Sequence, residues 1–203
     1  MNYSQIASDE AIKETITNLA AHGITAVVAD TKEQAKEKVL EMIPKNSSVM
    51  TMTSVTLDQT GIAEAINDNP DYVSIRKQLM TMDRATEGRK MQILGASPEY
   101  AIGSVHAVTR DGSMVIASNT GSQLPAEAYG SSHVIFVVGA QKIVNDLDAA
   151  MKRLYDYVLP LESERAHKAY GVPGSFVSKI LIIHKEINPT RMQVVIVKEA
   201  LGF

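Results

Sequence analysis

The chain alternates between amphipathic helical segments and short, almost wholly apolar runs rich in β-branched residues, and this alternation restricts the fold more than any other feature. Ile24-Thr25-Ala26-Val27-Val28-Ala29 and Val134-Ile135-Phe136-Val137-Val138 lack the every-second-residue polarity of a half-exposed strand, so they suit strands buried on both faces of a parallel sheet. Ile12, Ile16, Leu19 and Ala20 fall at helical spacing, with Gly23 as a stop. Thr31-Lys32-Glu33-Gln34 has the form of a capping box, opening a helix through Ala35, Val39 and Met42 before Pro44. Strands are expected over 48–52 and, after Asn69-Pro70, over 72–76, with a helix over 82–94. Residues 104–109 and 113–118, joined through Arg110-Asp111-Gly112, read as a β-hairpin. Leu147, Met151, Leu154 and Val158 return to helical spacing, and 179–184 and 192–198 read as two closing strands with a turn at Asn188-Pro189. The expectation is an α/β layered fold with a mostly parallel sheet, made mixed by the hairpin and the closing pair. Without a linker or internal repeat, one domain should span 1–203, with an N-terminal helix over about 5–22 packed on it.

Composition narrows the function. With 203 residues and a net charge of -3, the chain has no basic surplus for a phosphate backbone, and nucleic acid is not an expected partner. Low aromatic content and the absence of tryptophan also disfavour a base-stacking platform. No run approaches the roughly 20 apolar residues of a membrane span. The start, Met1-Asn2-Tyr3-Ser4-Gln5-Ile6, lacks a signal-peptide pattern, so a cytoplasmic chain is expected. The absence of cysteine removes disulfides, thiolate nucleophiles and iron–sulfur ligation within the chain. The five histidines show no ligand spacing, and no metal or other cofactor is implied.

In open α/β sheets ligands collect at the carboxyl ends of the strands, which selects three loops. In Thr51-Met52-Thr53-Ser54-Val55-Thr56-Leu57, the hydroxyls of Thr53, Ser54 and Thr56 suit a phosphate or carboxylate, or simply cap a helix. In Ser118-Asn119-Thr120-Gly121-Ser122-Gln123-Leu124-Pro125, Gly121 allows close backbone approach beside Thr120, Ser122 and Gln123; a connecting turn is the alternative. In Val138-Gly139-Ala140-Gln141-Lys142, the candidates are Gly139, Gln141 and above all Lys142. Lys142 would supply a positive charge for an anion, or is a solvated lysine in a first helical turn. His106 is either a general acid or base in the cleft or a hydrogen-bonded structural histidine. Glu162, Glu164 and Arg165, after Pro160, read as a charged loop or helix start and as surface or interface groups. No phosphate loop, strand-linked dinucleotide fingerprint or nucleophile elbow is present.

The block Val105-His106-Ala107-Val108-Thr109-Arg110-Asp111-Gly112-Ser113-Met114-Val115, followed by Thr120-Gly121-Ser122-Gln123, resembles the LUD family of lactate-utilisation proteins. So do Tyr129-Gly130, the run 134–138 with Gly139, and Lys142-Ile143-Val144-Asn145-Asp146-Leu147-Asp148-Ala149-Ala150. Arg153, Pro160, Arg191-Met192-Gln193-Val194-Val195-Ile196-Val197, Leu201-Gly202 and the early Ser54-Val55-Thr56-Leu57 match as well. The resemblance implies a three-layer, Rossmann-like fold similar to that of ribose-5-phosphate isomerases, glucosamine-6-phosphate deaminases and CoA transferases. It also implies a link to lactate oxidation beside iron–sulfur redox subunits. The sequence departs from a common pattern: Gly121-Ser122-Gln123 stands where many relatives have Gly-Asn-Arg, and their downstream cysteine cluster is missing.

Three functions follow as expectations. The first is a protein that binds a small anionic organic acid or phosphorylated metabolite and supports lactate oxidation with redox partners. The second is a stand-alone isomerase or transferase acting on a phosphorylated sugar or acyl-CoA. The third is an assembly subunit without a ligand of its own. A homodimer is also expected, since closed two-fold dimers are the commonest soluble oligomers.

Overall fold

The computed structural model describes residues 2–203. Its strands, numbered in chain order, form two sheets. The larger has β1 (Thr25–Ala29), β2 (Ser48–Thr51), β3 (Val73–Ser74), β4 (Tyr100–Gly103), β7 (His133–Gly139) and β10 (Met192–Val197), ordered β1-β10-β7-β4-β2-β3. Every pairing in it is parallel. The smaller has β5 (Ala107–Thr109), β6 (Met114–Ser118), β8 (Ile143–Val144) and β9 (Lys179–Ile183), ordered β8-β5-β6-β9.

Residue alternation along the strands builds the layers. Ile135, Val137, Val195 and Val197 face helices α2 (Lys32–Glu41), α3 (Val55–Gln59) and α4 (Ile62–Asn67), contributed by Val39, Leu57, Ile62 and Ile66. Phe136, Val138, Val194 and Ile196 face the other way, onto Ile12 and Leu19 of α1 (Asp9–Ala21), Ile75 of α5 (Ile75–Met80), and Val108, Met114 and Ile116 of the small sheet. The small sheet's opposite face carries Ala107, Val115 and Ala117. It packs on Ala150 of α7 (Leu147–Arg153) and on Leu154 and Val158 of the π-helical segment 154–158, which runs into α8 (Leu159–Tyr170). Burying each large apolar side chain contributes roughly 1.5–3 kcal/mol, which is why the central strands β7 and β10 are almost continuously apolar. Among the described residues no helix is long and apolar enough to cross a membrane.

The α/β fold matches the sequence reading, but the main sheet is wholly rather than mostly parallel, and several strands fall elsewhere than expected. The hairpin and the closing strands do not make one sheet mixed. β5 and β6 belong to the second sheet, and the closing strands separate: β9 pairs antiparallel with β6, whereas β10 inserts between β1 and β7. Burial explains the division, because β9 is half exposed and β10 is buried nearly throughout. The expected strand at 72–76 is cut to two residues, since Ser74 accepts from the Lys77 amide at 3.1 Å and starts α5. β4 went unread, and β5 starts only at Ala107. The first helix begins at Asp9, where the Ser8 hydroxyl accepts from the Ala11 amide. The helix α6 (Arg84–Ala96) falls where 82–94 was expected.

Candidate functional site

The carboxyl ends of β2, β4 and β6 open onto one cleft of about 1220 Å³, between the two sheets' loops, α6 and the start of α8. It is lined by Thr53, Ser54, Thr56, His106, Thr120, Gly121, Ser122, Gln123 and Lys142, which bring all three sequence-selected loops together. Gly139 and Gln141 do not line it. Gln141 Nε2 donates to the carbonyls of Leu201 (2.8 Å) and Gly202 (3.4 Å), fixing the C-terminal segment behind Thr56. A Cβ on Gly139 would stand 2.7 Å from the Leu201 nitrogen and 2.2 Å from Gln141 Oε1, so this position serves the same close approach.

Lys142 is not the solvated lysine of the alternative reading: it is 2% exposed. Its Nζ donates to Thr56 Oγ1 (3.0 Å), Ser104 Oγ (3.1 Å) and the Val105 carbonyl (3.1 Å). Burial, reinforced by the Arg153 charge, holds its pKa down to about 7. Thr56 in turn donates to the Leu201 carbonyl at 3.3 Å. At the outer edge of the same loop, Arg76 Nη2 donates to Thr53 Oγ1 (2.6 Å), and Ser54 caps α3.

His106 is half-buried, and its Nδ1 accepts from the Ala117 amide at 3.0 Å. That bond fixes the neutral tautomer with its proton on Nε2, so the ring offers the cleft a donor. Burial, then the charges of Lys142 and Arg153, push its pKa to about 3. The ring stays uncharged at neutral pH. Arg153, wholly buried, supports it from behind by donating from Nη1 to the His106 carbonyl, with its guanidinium 5.3 Å from the Tyr157 ring centroid. Its Nε and Nη2 have no hydrogen-bond partner, and burial lowers its pKa to about 10.

The 120–123 loop spends much of its polarity on itself. Ser118 Oγ donates to Gln123 Oε1 (2.9 Å) and accepts from the Gly121 amide (2.8 Å); Thr120 and Ser122 hydroxyls meet at 3.1 Å. Gly121 has φ +84°, a left-handed conformation that favours glycine. The loop therefore meets the turn requirement while still forming one wall of the cleft.

Sequence reasoning missed several lining groups. Arg76, Arg84 and Arg89 line the outer part, as do Glu162 and Arg165. The last two, expected as surface or interface groups, form a partly exposed ion pair along α8, Arg165 Nε to Glu162 at 2.7 Å. Glu127 lies in the π-helical turn 126–130, at 1% exposure. Arg153 left a readable signal, because it falls beside Ala150 and Leu154 on an apolar helical stripe. Glu127, flanked by alanines, left none. Among the described residues no three His, Cys, Asp or Glu side chains come together to hold a metal ion.

A family model for the LUD domain matches residues 12–197. The chain belongs to the LUD-domain family. Its fold is similar to the crystal structure of a DUF162 family protein from Deinococcus radiodurans, with a TM-score of 0.57 at 10% identity, covering 95% of this chain and 99% of that one. At that identity the likeness speaks for the fold alone. No curated protein matches the chain. Within this LUD domain the cleft lies where the loops that carry the family resemblance converge.

Proposed function

We propose that this LUD-domain protein binds a small organic acid through its carboxylate, in the service of lactate or related hydroxy-acid utilisation. Redox partners carrying iron–sulfur centres supply the electron transfer that a cysteine-free chain does not. The observation that carries this reading is the polarity of the cleft. Its inner wall presents the His106 Nε2 proton and the Lys142 charge, with Arg153 buried behind. Of the two acidic side chains lining it, Glu162 is tied to Arg165 and Glu127 is held neutral by burial, with a pKa near 8. A site with this sign attracts anions even though the whole chain is acidic.

A second reading, an isomerase or transferase for a phosphorylated sugar or acyl-CoA, draws on the cleft's size. About 1220 Å³ exceeds the roughly 300–1,000 Å³ of usual ligand pockets, and Arg76, Arg84 and Arg89 add charge along its outer part.

Thermal denaturation with lactate, pyruvate, lactamide, sugar phosphates and CoA separates the readings. A ligand at about 100 times its dissociation constant adds roughly 2.7 kcal/mol. Lactate or pyruvate should stabilise the protein, more weakly at high salt, and lactamide, which lacks the charge, should not. Stabilisation by phosphorylated compounds alone, lost in Arg84→Ala/Arg89→Ala, would favour the second reading. No stabilisation by any of them would contradict both and leave the ligand-free assembly subunit.

A further inference from the structure

One buried group in the cleft has no hydrogen-bond partner among the described residues. Glu127 Oε2 makes no hydrogen bond, and Oε1 lies 3.1 Å from where a Cβ on Gly103 would stand, a spot also bounded by Met52 and Phe136. A buried carboxyl kept for structure alone is normally satisfied by neighbouring donors; this one lines the cleft instead. The charged and titratable groups on the elements around it include Arg191, Arg76 and Lys77 of α5, Arg84, Glu87, Arg89 and Lys90 of α6, Tyr100 of β4, His133 of β7, and His106 and Lys142 along the cleft. Arg191 holds the Glu127 backbone carbonyl, at 3.0 Å from Nη2, rather than its side chain.

We propose that Glu127 is the group that reads the ligand: a carboxylic acid whose O–H donates to the oxyanion bound in the cleft. The inference rests on the anion-binding reading and adds a residue and a proton to it. An ionised carboxylate at this position would repel the ligand's own carboxylate, whereas the neutral acid supplies a hydrogen bond of the kind that favours an anionic acceptor. Burial alone, without a charged partner, keeps the proton on Glu127 up to about pH 8. Together with His106 Nε2–H it makes the inner wall a set of donors, which selects a carboxylate over an amine or an amide. The absence of a side chain at Gly103 leaves Glu127 Oε1 its place.

Only the protonated acid donates, so affinity falls about tenfold per pH unit above the Glu127 pKa. Loss of the Lys142 charge weakens binding as well, from about pH 7, so the Glu127 contribution is read as a ratio of two proteins. Calorimetric titration with sodium pyruvate between pH 6.5 and 9.5 compares the wild type with Glu127→Gln, whose amide keeps a donor and does not titrate. The wild-type affinity divided by the variant's should drop about 30-fold across that range; a constant ratio would overturn the role of Glu127 and leave the anion-binding reading standing. Carbon NMR of the wild type needs no variant to fold: the Glu127 carboxyl should titrate near pH 8 and move higher with saturating pyruvate. Titration unmoved by pyruvate would overturn the inference. Failure of pyruvate to bind either protein at pH 6.5 would overturn the anion-binding reading, and this inference with it.

Discussion

Lys142→Met should lower the affinity for a carboxylate ligand roughly 30- to 160-fold while leaving the protein folded. The ammonium has all three donors engaged, on Thr56, Ser104 and the Val105 carbonyl, so it acts on a ligand as a charge rather than as a direct contact. At a separation of ~6–8 Å and an effective dielectric near 20, that charge is worth about 2–3 kcal/mol, which gives the stated loss. The fold loses much less. Its pKa near 7 means that the folded state already bears a cost for burying the charge. Methionine fills the same channel without that cost, and the Ser104 and Thr56 hydroxyls, 3.3 Å apart, remain paired. A stability loss of about 1–2 kcal/mol, or a fall in Tm of roughly 2–8 °C, is expected. Calorimetry at pH 6, where the wild-type lysine is charged, checks the first figure and thermal denaturation the second. Unchanged affinity would show that the cleft does not use this charge.

Arg191→Leu should be the most destabilising single change near the site. Arg191 precedes β10 and is 8% exposed. Its guanidinium donates to the carbonyls of Ser131 (2.9 Å), Ala126 (3.2 Å) and Glu127 (3.0 Å), and pairs with Glu186 at 2.7 Å. One side chain thus ties the π-helical turn that carries Glu127 to the main sheet. Leucine would remove the side-chain donor on the Ser131 and Glu127 carbonyls and one of the two donors on the Ala126 carbonyl, and would leave the largely buried Glu186 carboxylate without its ion-pair partner, a loss of about 3–5 kcal/mol, or roughly 6–20 °C in Tm. Arg191→Leu combined with Glu186→Leu should recover part of it, because no unpaired carboxylate remains while the carbonyls still lack the guanidinium donors. Differential scanning calorimetry of the three proteins checks both statements. A single variant within about 1 kcal/mol of wild type would show that the turn is held by other contacts.

Much of this architecture is legible because burial on both faces leaves a plain mark. β7 and β10 are nearly continuous apolar runs, and the strand-end rule led from β2, β6 and β7 to the three loops that meet in the cleft. What sequence could not give were pairing partners and environments. β9 and β10 read alike and lie next to each other in the chain, yet they join different sheets, because pairing depends on distant strands rather than on local pattern. β4 was lost in Tyr100-Ala101-Ile102-Gly103, too short a run to stand out. Within the site, the hydroxyls and Lys142 were legible as chemistry at a strand end. The neutral state of Glu127 was not, since it arises from burial beside Gly103, Met52 and Phe136 that no neighbouring residue announces. Gly139 and Gln141 were legible as strand-end residues, but their contacts run to Leu201 and Gly202, about sixty positions away.

The measurement that bears most directly on a donor-lined, anion-binding cleft is nitrogen NMR of the histidines during a pyruvate titration, with His106 assigned by the signal lost in His106→Gln. His106 should remain neutral, with its proton on Nε2, from pH 5 to 8, since its pKa is held near 3. Its Nε2 and attached proton should shift saturably as pyruvate is added. A His106 that gains a proton near pH 6.5, or whose Nε2 signal ignores pyruvate at any concentration, would contradict the account.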